Sequence, residues 1–281
     1  MSEIKVAVIG GSGIYKLDAI KIKNEIKVET PFGDPSSEIM EVEVNGDSFY
    51  FLPRHGRGHR FTPSEVNYRA NIFALKKLGV DTIVSISAVG SLQEEYAPKH
   101  FVMVDQFIDW TKGMRKRSFF EGGMVGHVSA ADPVEKSLQK RLYEASKRAG
   151  VTTHLGGAYI CIEGPQFSTR AESKIYRSFG ASVIGMTNVP EAFLAKEAGM
   201  AYATVAMVTD YDCWKEEHCT VQEIMDVMKS NYVSAQKFIV EVIPDLVKNP
   251  ITFTPENKYA VITDPTLLKS HHQEILEVVL K

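Results

Sequence analysis

Cysteine is scarce in this sequence. The 281 residues include only three cysteines, Cys161, Cys213 and Cys219, and no CxxC pair. A sparse, odd-numbered set argues against a disulfide-rich secreted scaffold and against the common zinc modules. We therefore expect a reducing compartment for this protein and, by default, the cytoplasm.

Two further absences narrow the class of protein. The formal net charge is only −3 at pH 7, so no overall basic field draws the chain towards nucleic acid. The apolar run near the N-terminus, Val6–Ile9, is too short to cross a bilayer. It also lacks the basic start and small-residue cleavage site of a signal peptide. The sequence thus predicts a soluble protein with no nucleic-acid or membrane partner.

Hydrophobic residues make up 44% of the chain. They form short continuous runs that alternate with longer segments of helical spacing. Six short runs suit buried strands of a mixed or parallel sheet: Val6–Ile9, Phe49–Leu52, Thr82–Ile86, Ala158–Ile162, Ser182–Met186 and Ala201–Met207. Helical spacing of apolar residues is found in four segments: Ser64–Lys77, Pro133–Ala149, Val221–Val247 and Gln273–Leu280. The pattern predicts one α/β domain over residues 1–281. Residues 249–281 would be a tail packed on the body or on a neighbouring subunit.

Glycine, hydroxyl and basic residues follow three of the predicted strands. Gly10–Tyr15 reads GGSGIY, which breaks the dinucleotide fingerprint but can bind an anion as readily as it can form a plain tight turn. Pro53–Arg60 holds three arginines and two histidines, and arginine suits phosphate, although a solvated basic loop is the alternative. Ser87–Ser91 adds hydroxyls. Because ligands gather at the carboxyl ends of strands, these segments predict one anion site.

Two carboxylates, Asp210 and Asp212, follow the last predicted strand. No further acids or histidines accompany them at metal-ligand spacing, so we predict no metal site. Neighbouring acids raise one another's proton affinity. One of the pair can therefore donate a proton to a leaving base, whereas a solvated turn is the alternative.

The order and spacing of these segments resemble the 5′-methylthioadenosine phosphorylase branch of the trimeric purine nucleoside phosphorylases. The matching segments are GGSGIY at Gly10, PRHGRGHRFTPSEVNYRAN at Pro53, SAVGSL at Ser87, IEGPQFSTRAES at Ile162, GMTNVPEAFLAKEAG at Gly185 and TDYDCWKE at Thr209. They cover about residues 4 to 247 of the chain. The resemblance implies a three-layer phosphorylase-type α/β fold, with a mixed, distorted β-sheet flanked by helices. It also implies a homotrimer or a dimer of trimers.

The resemblance implies roles for individual residues. Phosphate binding is implied for six of them: Ser12, Arg54, His55, Ser87, Ala88 through its backbone, and Thr187. Substrate binding is implied for Met186 at the ribose, for Phe167 and Ile184 around the ligand, for Asp210, Tyr211 and Asp212 at the purine, and for His127 at the neighbouring subunit's sugar. Specificity for the 5′ group is implied for Ser168 and for Glu223, although Glu223 also has capping-box spacing with Thr220. The periodicity of the long helix predicts that its methionines fill the core.

The implied reaction is phosphorolysis of S-methyl-5′-thioadenosine to adenine and 5-methylthioribose 1-phosphate, in purine and methionine salvage, with side activity on adenosine. No cofactor is expected, since inorganic phosphate is a co-substrate. Asp210 would donate towards purine N7 and Asp212 would accept from the 6-amino group, although which acid carries the proton stays open. The alternatives are a nucleoside hydrolase, which would not need the Arg54-His55 loop, a nicotinamide-dependent dehydrogenase, which the broken fingerprint disfavours, and a non-enzymatic nucleotide-binding regulator.

Overall fold

The computed structural model describes residues 4–11, 20–215 and 221–281 of the chain. Within this part, the strands are β1 (Val6–Gly10), β2 (Lys21–Ile26), β3 (Ile39–Val44), β4 (Asp47–Pro53), β5 (Thr82–Ser91), β6 (Phe101–Met103), β7 (Gln106–Trp110), β8 (Thr153–Leu155), β9 (Ala158–Ile162), β10 (Ala181–Gly185) and β11 (Ala201–Tyr211). The helices are α1 (Tyr68–Lys77), α2 (Lys136–Arg148), α3 (Arg170–Ser178), α4 (Asn188–Glu197), α5 (Val221–Lys248) and α6 (Ser270–Val279).

All of these strands join one mixed sheet that branches at β5. The main path runs β2-β3-β4-β1-β5-β10-β9-β7, while β11 pairs with β5 and β6, and β6 pairs with β8. On one edge, β5 pairs in parallel with β11 along its whole length. On its other edge it pairs first with β1, in parallel, and at its end with β10, in antiparallel. This exchange of neighbours makes the sheet branch along β5.

Helices cover both faces of the sheet. One face packs against α2 and α5, where Leu138 and Phe238 belong to a common buried cluster with the strands. The other face packs against α1, α4 and α6 through Phe73, Leu194 and Ile275. The three-layer α/β fold with a mixed, distorted sheet is therefore confirmed.

Each of the six predicted strand segments overlaps a strand, and each of the four predicted helical segments overlaps a helix. Two strands are longer than predicted, because β5 and β11 stay paired as far as Ser91 and Tyr211. Ser87 and Asp210 therefore lie inside strands and not after them, which corrects the sequence-based interpretation. The polar residues in these stretches do not end the strands, because β5 and β11 stay hydrogen-bonded to each other there.

The C-terminal segment packs on the body of its own chain. Ile275 and Val279 of α6 are buried against the core that includes α1. Ahead of them, Val261 forms a β-bridge with Gly126. None of the helices among residues 4–11, 20–215 and 221–281 is long and apolar enough to span a membrane.

Glu197, at the end of α4, gives stability a pH dependence. Burial raises its pKa from 4.5 to about 7, although a hydrogen bond from the Phe119 N–H at 2.7 Å works in the opposite direction. Because the folded pKa exceeds the unfolded one, the neutral carboxyl stabilises the fold below pH 4.5. That contribution is lost as the pH rises through about 7.

We expect Glu197→Gln, which keeps the shape without the charge, to remove this loss. Relative to the wild type, the variant should gain about 2–3 kcal/mol in unfolding free energy between about pH 5 and about pH 8. Urea unfolding at the two pH values measures the difference. A difference between the two proteins that does not change with pH would contradict the assignment.

Candidate active site

One cavity of about 280 Å³ lies at the branch point of the sheet. It receives side chains from the ends of several strands and from α5. Eleven of the residues singled out in the sequence line it: Arg54, His55, Ser87, Ala88, Phe167, Ser168, Ile184, Met186, Thr187, Asp210 and Asp212. The structure therefore brings together residues that are up to 158 positions apart, from Arg54 to Asp212.

The cavity opens where β5 changes partners. Its pairing with β1 reaches Ser85, and its pairing with β10 begins at Gly90. Between these points, residues 86–89 have no neighbour strand on that edge among the described residues. Backbone groups of Ala88 are thus available to a ligand, which a regular sheet would not allow.

Arg54, directly after β4, is the most buried cation of the site. It is 2% exposed, and Glu191, its partner, is 0% exposed. The guanidinium donates to Glu191 through Nε at 2.7 Å and Nη2 at 2.8 Å, to Ser85 Oγ at 2.6 Å and to the Ile86 carbonyl at 3.0 Å. Burial lowers the pKa of Arg54, but the Glu191 carboxylate outweighs burial and raises it. The bidentate fork is therefore turned towards Glu191, and among the contacts of the described residues one Nη1 hydrogen is left for a ligand.

His55 is neutral in this environment. Burial, followed by the charges of Arg54 and His59, lowers its pKa to about 4. Its Nδ1 lies 2.9 Å from the Phe61 carbonyl, which can only accept, so Nδ1 carries the proton. The other ring nitrogen then carries a lone pair, which suits a protonated phosphate oxygen.

Two hydroxyls lie together next to these residues. Ser87 Oγ on β5 and Thr187 Oγ1, just before α4, are 3.2 Å apart and both line the cavity. Ser12, which the resemblance places with them, lies outside the described residues.

The two carboxylates stand at another wall of the same cavity. A register shift in the β5–β11 pairing, between Val208 and Asp210, leaves Thr209 as an extra residue. Bulges of this kind re-aim side chains. Asp210 Oδ1 accepts from the Thr209 hydroxyl at 2.6 Å.

The environment of both acids raises their pKa values. Burial raises the pKa of Asp210, and the charge of Asp212 adds to the rise. Burial also raises the pKa of Asp212. Within the described part of the chain, Asp212 Oδ2 is buried without a hydrogen-bond partner. A buried acceptor without a donor is costly, so this oxygen suits a ligand that carries an N–H.

Comparisons with known proteins decide the family. The model of the phosphorylase superfamily matches residues 5–244. The chain belongs to the phosphorylase superfamily. It is 49% identical to the S-methyl-5′-thioadenosine phosphorylase of Geobacter sulfurreducens over 98% of this chain and 97% of that protein. It is 51% identical to the same-named protein of Saccharolobus solfataricus over 87% and 91%.

Solved structures agree with these relatives. A methylthioadenosine phosphorylase from an Antarctic soil metagenomic library is 44% identical, with a TM-score of 0.93 and full coverage of both chains. A variant of the adenosine/methylthioadenosine phosphorylase of Schistosoma mansoni, in complex with methylthioadenosine, is 36% identical with a TM-score of 0.81. That match covers 86% of this chain and 92% of the other.

In this member of the superfamily, α5 supplies a wall of the cavity that the sequence reasoning missed. Ile224, Met228 and Tyr232, spaced four residues apart on one helical stripe, all line the cavity. The prediction that the helix methionines fill the core is therefore wrong for both of them, because Met228 lines the cavity and Met225 is exposed. Helical periodicity cannot distinguish a side chain that faces the core from one that faces a cavity in it.

Three residues with an implied role do not line this cavity in the superfamily member. The Tyr211 hydroxyl donates to the Glu94 carbonyl at 2.9 Å. Glu223 is exposed in the first turn of α5, and Thr220, its predicted capping partner, lies outside the described residues. His127 is exposed, and its backbone N–H donates to the Ala260 carbonyl. Among the described residues, no group of three or more histidine, cysteine or acidic side chains could hold a metal ion.

Proposed function

We propose that this protein cleaves S-methyl-5′-thioadenosine with inorganic phosphate, giving adenine and 5-methylthioribose 1-phosphate. One observation carries the proposal. A single cavity joins Arg54, His55 and two hydroxyls to a pair of acids with raised pKa values. The first group suits an anion, and the second suits a neutral base that must be protonated as it leaves. The names of the relatives support the same reaction.

The reaction divides between these two groups. The bond from C1′ to N9 breaks, and its electron pair goes to the purine while positive charge develops on the sugar. Asp210 gives its proton to N7, so the base leaves neutral. A phosphate oxygen, held by Ser12, Arg54, His55, Ser87, the Ala88 backbone and Thr187, then forms the new bond to C1′. Orientation of the bound nucleophile contributes several kcal/mol, about 7–11 at most.

The second acid accounts for a preference for adenine. Asp212 Oδ2 needs a donor, and a 6-amino group supplies one, whereas a 6-oxo group would set oxygen against oxygen. A mismatch of this kind at a buried polar contact costs up to about 10⁴–10⁵-fold in specificity.

The α5 wall accounts for the 5′ group. Ile224 and Met228, and not the exposed Glu223, offer apolar surface to the cavity, and a methylthio group prefers such surface. A wall of this kind contributes only about 1–3 kcal/mol per methyl-sized group. Side activity on adenosine is therefore part of the proposal. Ser168, which lines the cavity, is proposed to influence the 5′ preference, and Met186 is proposed to contact the ribose.

The proposed assembly is a homotrimer or a dimer of trimers. Phe167, at the cavity, is 66% exposed, and α3 follows it closely in the sequence. An exposed apolar group formed by α3 and β7 includes Trp110 and Phe179, whose rings are 5.3 Å apart. Large exposed apolar groups mark interfaces, so this face is proposed to meet a second copy, and His127 is proposed to reach the sugar of a neighbouring subunit.

The remaining parts of the proposal follow from this reaction. The protein acts as a single domain in the cytoplasm, in purine and methionine salvage, and needs no cofactor because phosphate is consumed as a co-substrate. One continuous sheet supports the single domain.

A phosphate-dependence assay tests the proposal. Adenine release from S-methyl-5′-thioadenosine should require phosphate and saturate with it. Adenosine should react more slowly, and inosine should react at least about 10²-fold more slowly in kcat/KM. Base release in phosphate-free buffer would indicate a hydrolase, and equal rates with inosine would overturn the role of Asp212.

A further inference from the structure

A third hydroxyl lies behind the two that are proposed to bind phosphate. Tyr159 on β9 is 0% exposed, so its phenolic hydroxyl has no access to solvent. The phenolic oxygen lies 3.4 Å from Ser87 Oγ and 3.4 Å from the Thr187 backbone nitrogen. The buried phenol therefore contacts both residues of the phosphate end without lining the cavity.

The backbone of β10 fixes the position of this hydroxyl. A Cβ atom on Gly185 would lie 1.9 Å from the Tyr159 oxygen and 2.5 Å from Cζ. Only glycine allows so close an approach. The phenol is therefore packed against the backbone two residues before Thr187, where the sheet and not a flexible loop determines its place.

Chemistry gives the hydrogen bonds a direction. The Thr187 N–H can only donate, so the Tyr159 oxygen accepts from it and directs its own proton at Ser87 Oγ. Burial raises the pKa of Tyr159 to about 12, so the phenol keeps that proton. Ser87 then accepts from Tyr159, and its own hydroxyl proton is left for another acceptor, which can be the Thr187 hydroxyl at 3.2 Å, the Ala88 carbonyl at 3.4 Å or a bound phosphate oxygen. A phosphate oxygen that carries negative charge needs such a donor.

We propose that Tyr159 is a positioning residue that turns the Ser87 hydroxyl into a donor to phosphate. The inference rests on the proposed function, since it assumes that phosphate binds at Ser87. Without Tyr159, the serine hydroxyl is free to rotate and to accept from the Thr187 hydroxyl, 3.2 Å away. Affinity for phosphate, and not for the nucleoside, then depends on a tyrosine that touches neither ligand.

The variant Tyr159→Phe keeps the ring and removes only the hydroxyl. The KM for phosphate should rise about 5-fold. The KM for S-methyl-5′-thioadenosine and kcat at saturating phosphate should change by less than about 2-fold. Tyr68→Phe is the matched control: Tyr68 is buried too, but its hydroxyl donates to the Pro63 carbonyl at 2.8 Å. The control should lose a similar amount of thermal stability and keep the phosphate KM.

A double-mutant cycle with Ser87→Ala separates positioning from a structural effect. If Tyr159 acts through Ser87, removing the phenolic hydroxyl adds nothing to the phosphate KM once the serine hydroxyl is absent. Additive effects would overturn the proposal, as would an unchanged phosphate KM in a Tyr159→Phe protein of lowered stability. Phosphate-independent adenine release by the wild type would instead overturn the proposed function, so the two failures are distinguishable.

Discussion

Replacing Asp210 with asparagine is expected to lower kcat for S-methyl-5′-thioadenosine by about 10²–10⁴-fold, the usual contribution of a general acid. Asparagine keeps the size and can still hydrogen-bond to N7, but it cannot transfer a proton. The wild-type rate should fall as the pH rises through the raised pKa of Asp210, because the protonated form is the active one. The variant should lose that dependence. Steady-state kinetics across pH measure both effects.

The matched control for this experiment is Asp212→Asn, two residues further along. This change should mainly alter the choice of base, since an amide can donate to a 6-oxo group. Its ratio of inosine to adenosine activity should rise. If Asp212→Asn shows the larger loss of kcat and Asp210→Asn shows little, the proton comes from Asp212 and the proposed roles are reversed.

The second large effect concerns the ion pair between Arg54 and Glu191. Arg54→Met leaves the Glu191 carboxylate buried without its cation, and breaking a buried pair in this way costs about 3–5 kcal/mol in unfolding free energy. The rate of phosphorolysis should fall as well, because Arg54 is one of the residues proposed to bind phosphate. Urea unfolding and the KM for phosphate measure the two losses.

A double variant, Arg54→Met with Glu191→Gln, separates folding from phosphate binding. It buries no charge, and glutamine can keep the hydrogen bonds that Glu191 makes with Ser85 and Tyr202. Stability should return to within about 1–2 kcal/mol of the wild type, since the uncompensated charge is gone. Phosphorolysis should stay low. Recovery of the wild-type KM for phosphate would show that Arg54 serves only to neutralise Glu191.

The sequence predicted a strand or helix correctly where a single local pattern of residues determines that element. Continuous apolar runs identified six of the strands, whereas the largely buried β3 and the fully buried β6 were not predicted. The 3.6-residue period identified α5 to within one residue at each end. The exposed edge strand β2, with Lys21 and Lys23, gave no such signal, because a strand that faces water needs no apolar alternation.

The anion residues could be predicted, but the state of their side chains could not. Arg54 was identified from its arginine-rich loop, yet its pairing with Glu191 joins positions 137 residues apart. The same limit applies to Tyr159, which the sequence does not distinguish from the other buried strand residues in the run Ala158–Ile162. Contacts between distant segments depend on sheet order, and spacing along the chain does not encode that order.

The exchange of neighbours along β5 has a consequence for refolding. The cavity needs β1 on one half of that edge, β10 on the other and β11 opposite, so its walls come from early and late parts of the chain. Closing such distant segments is slow, because the entropy of the intervening loops is lost before the contacts form. Catalytic competence should therefore appear in the last kinetic phase, after the local hairpin β3–β4 and the helices have formed.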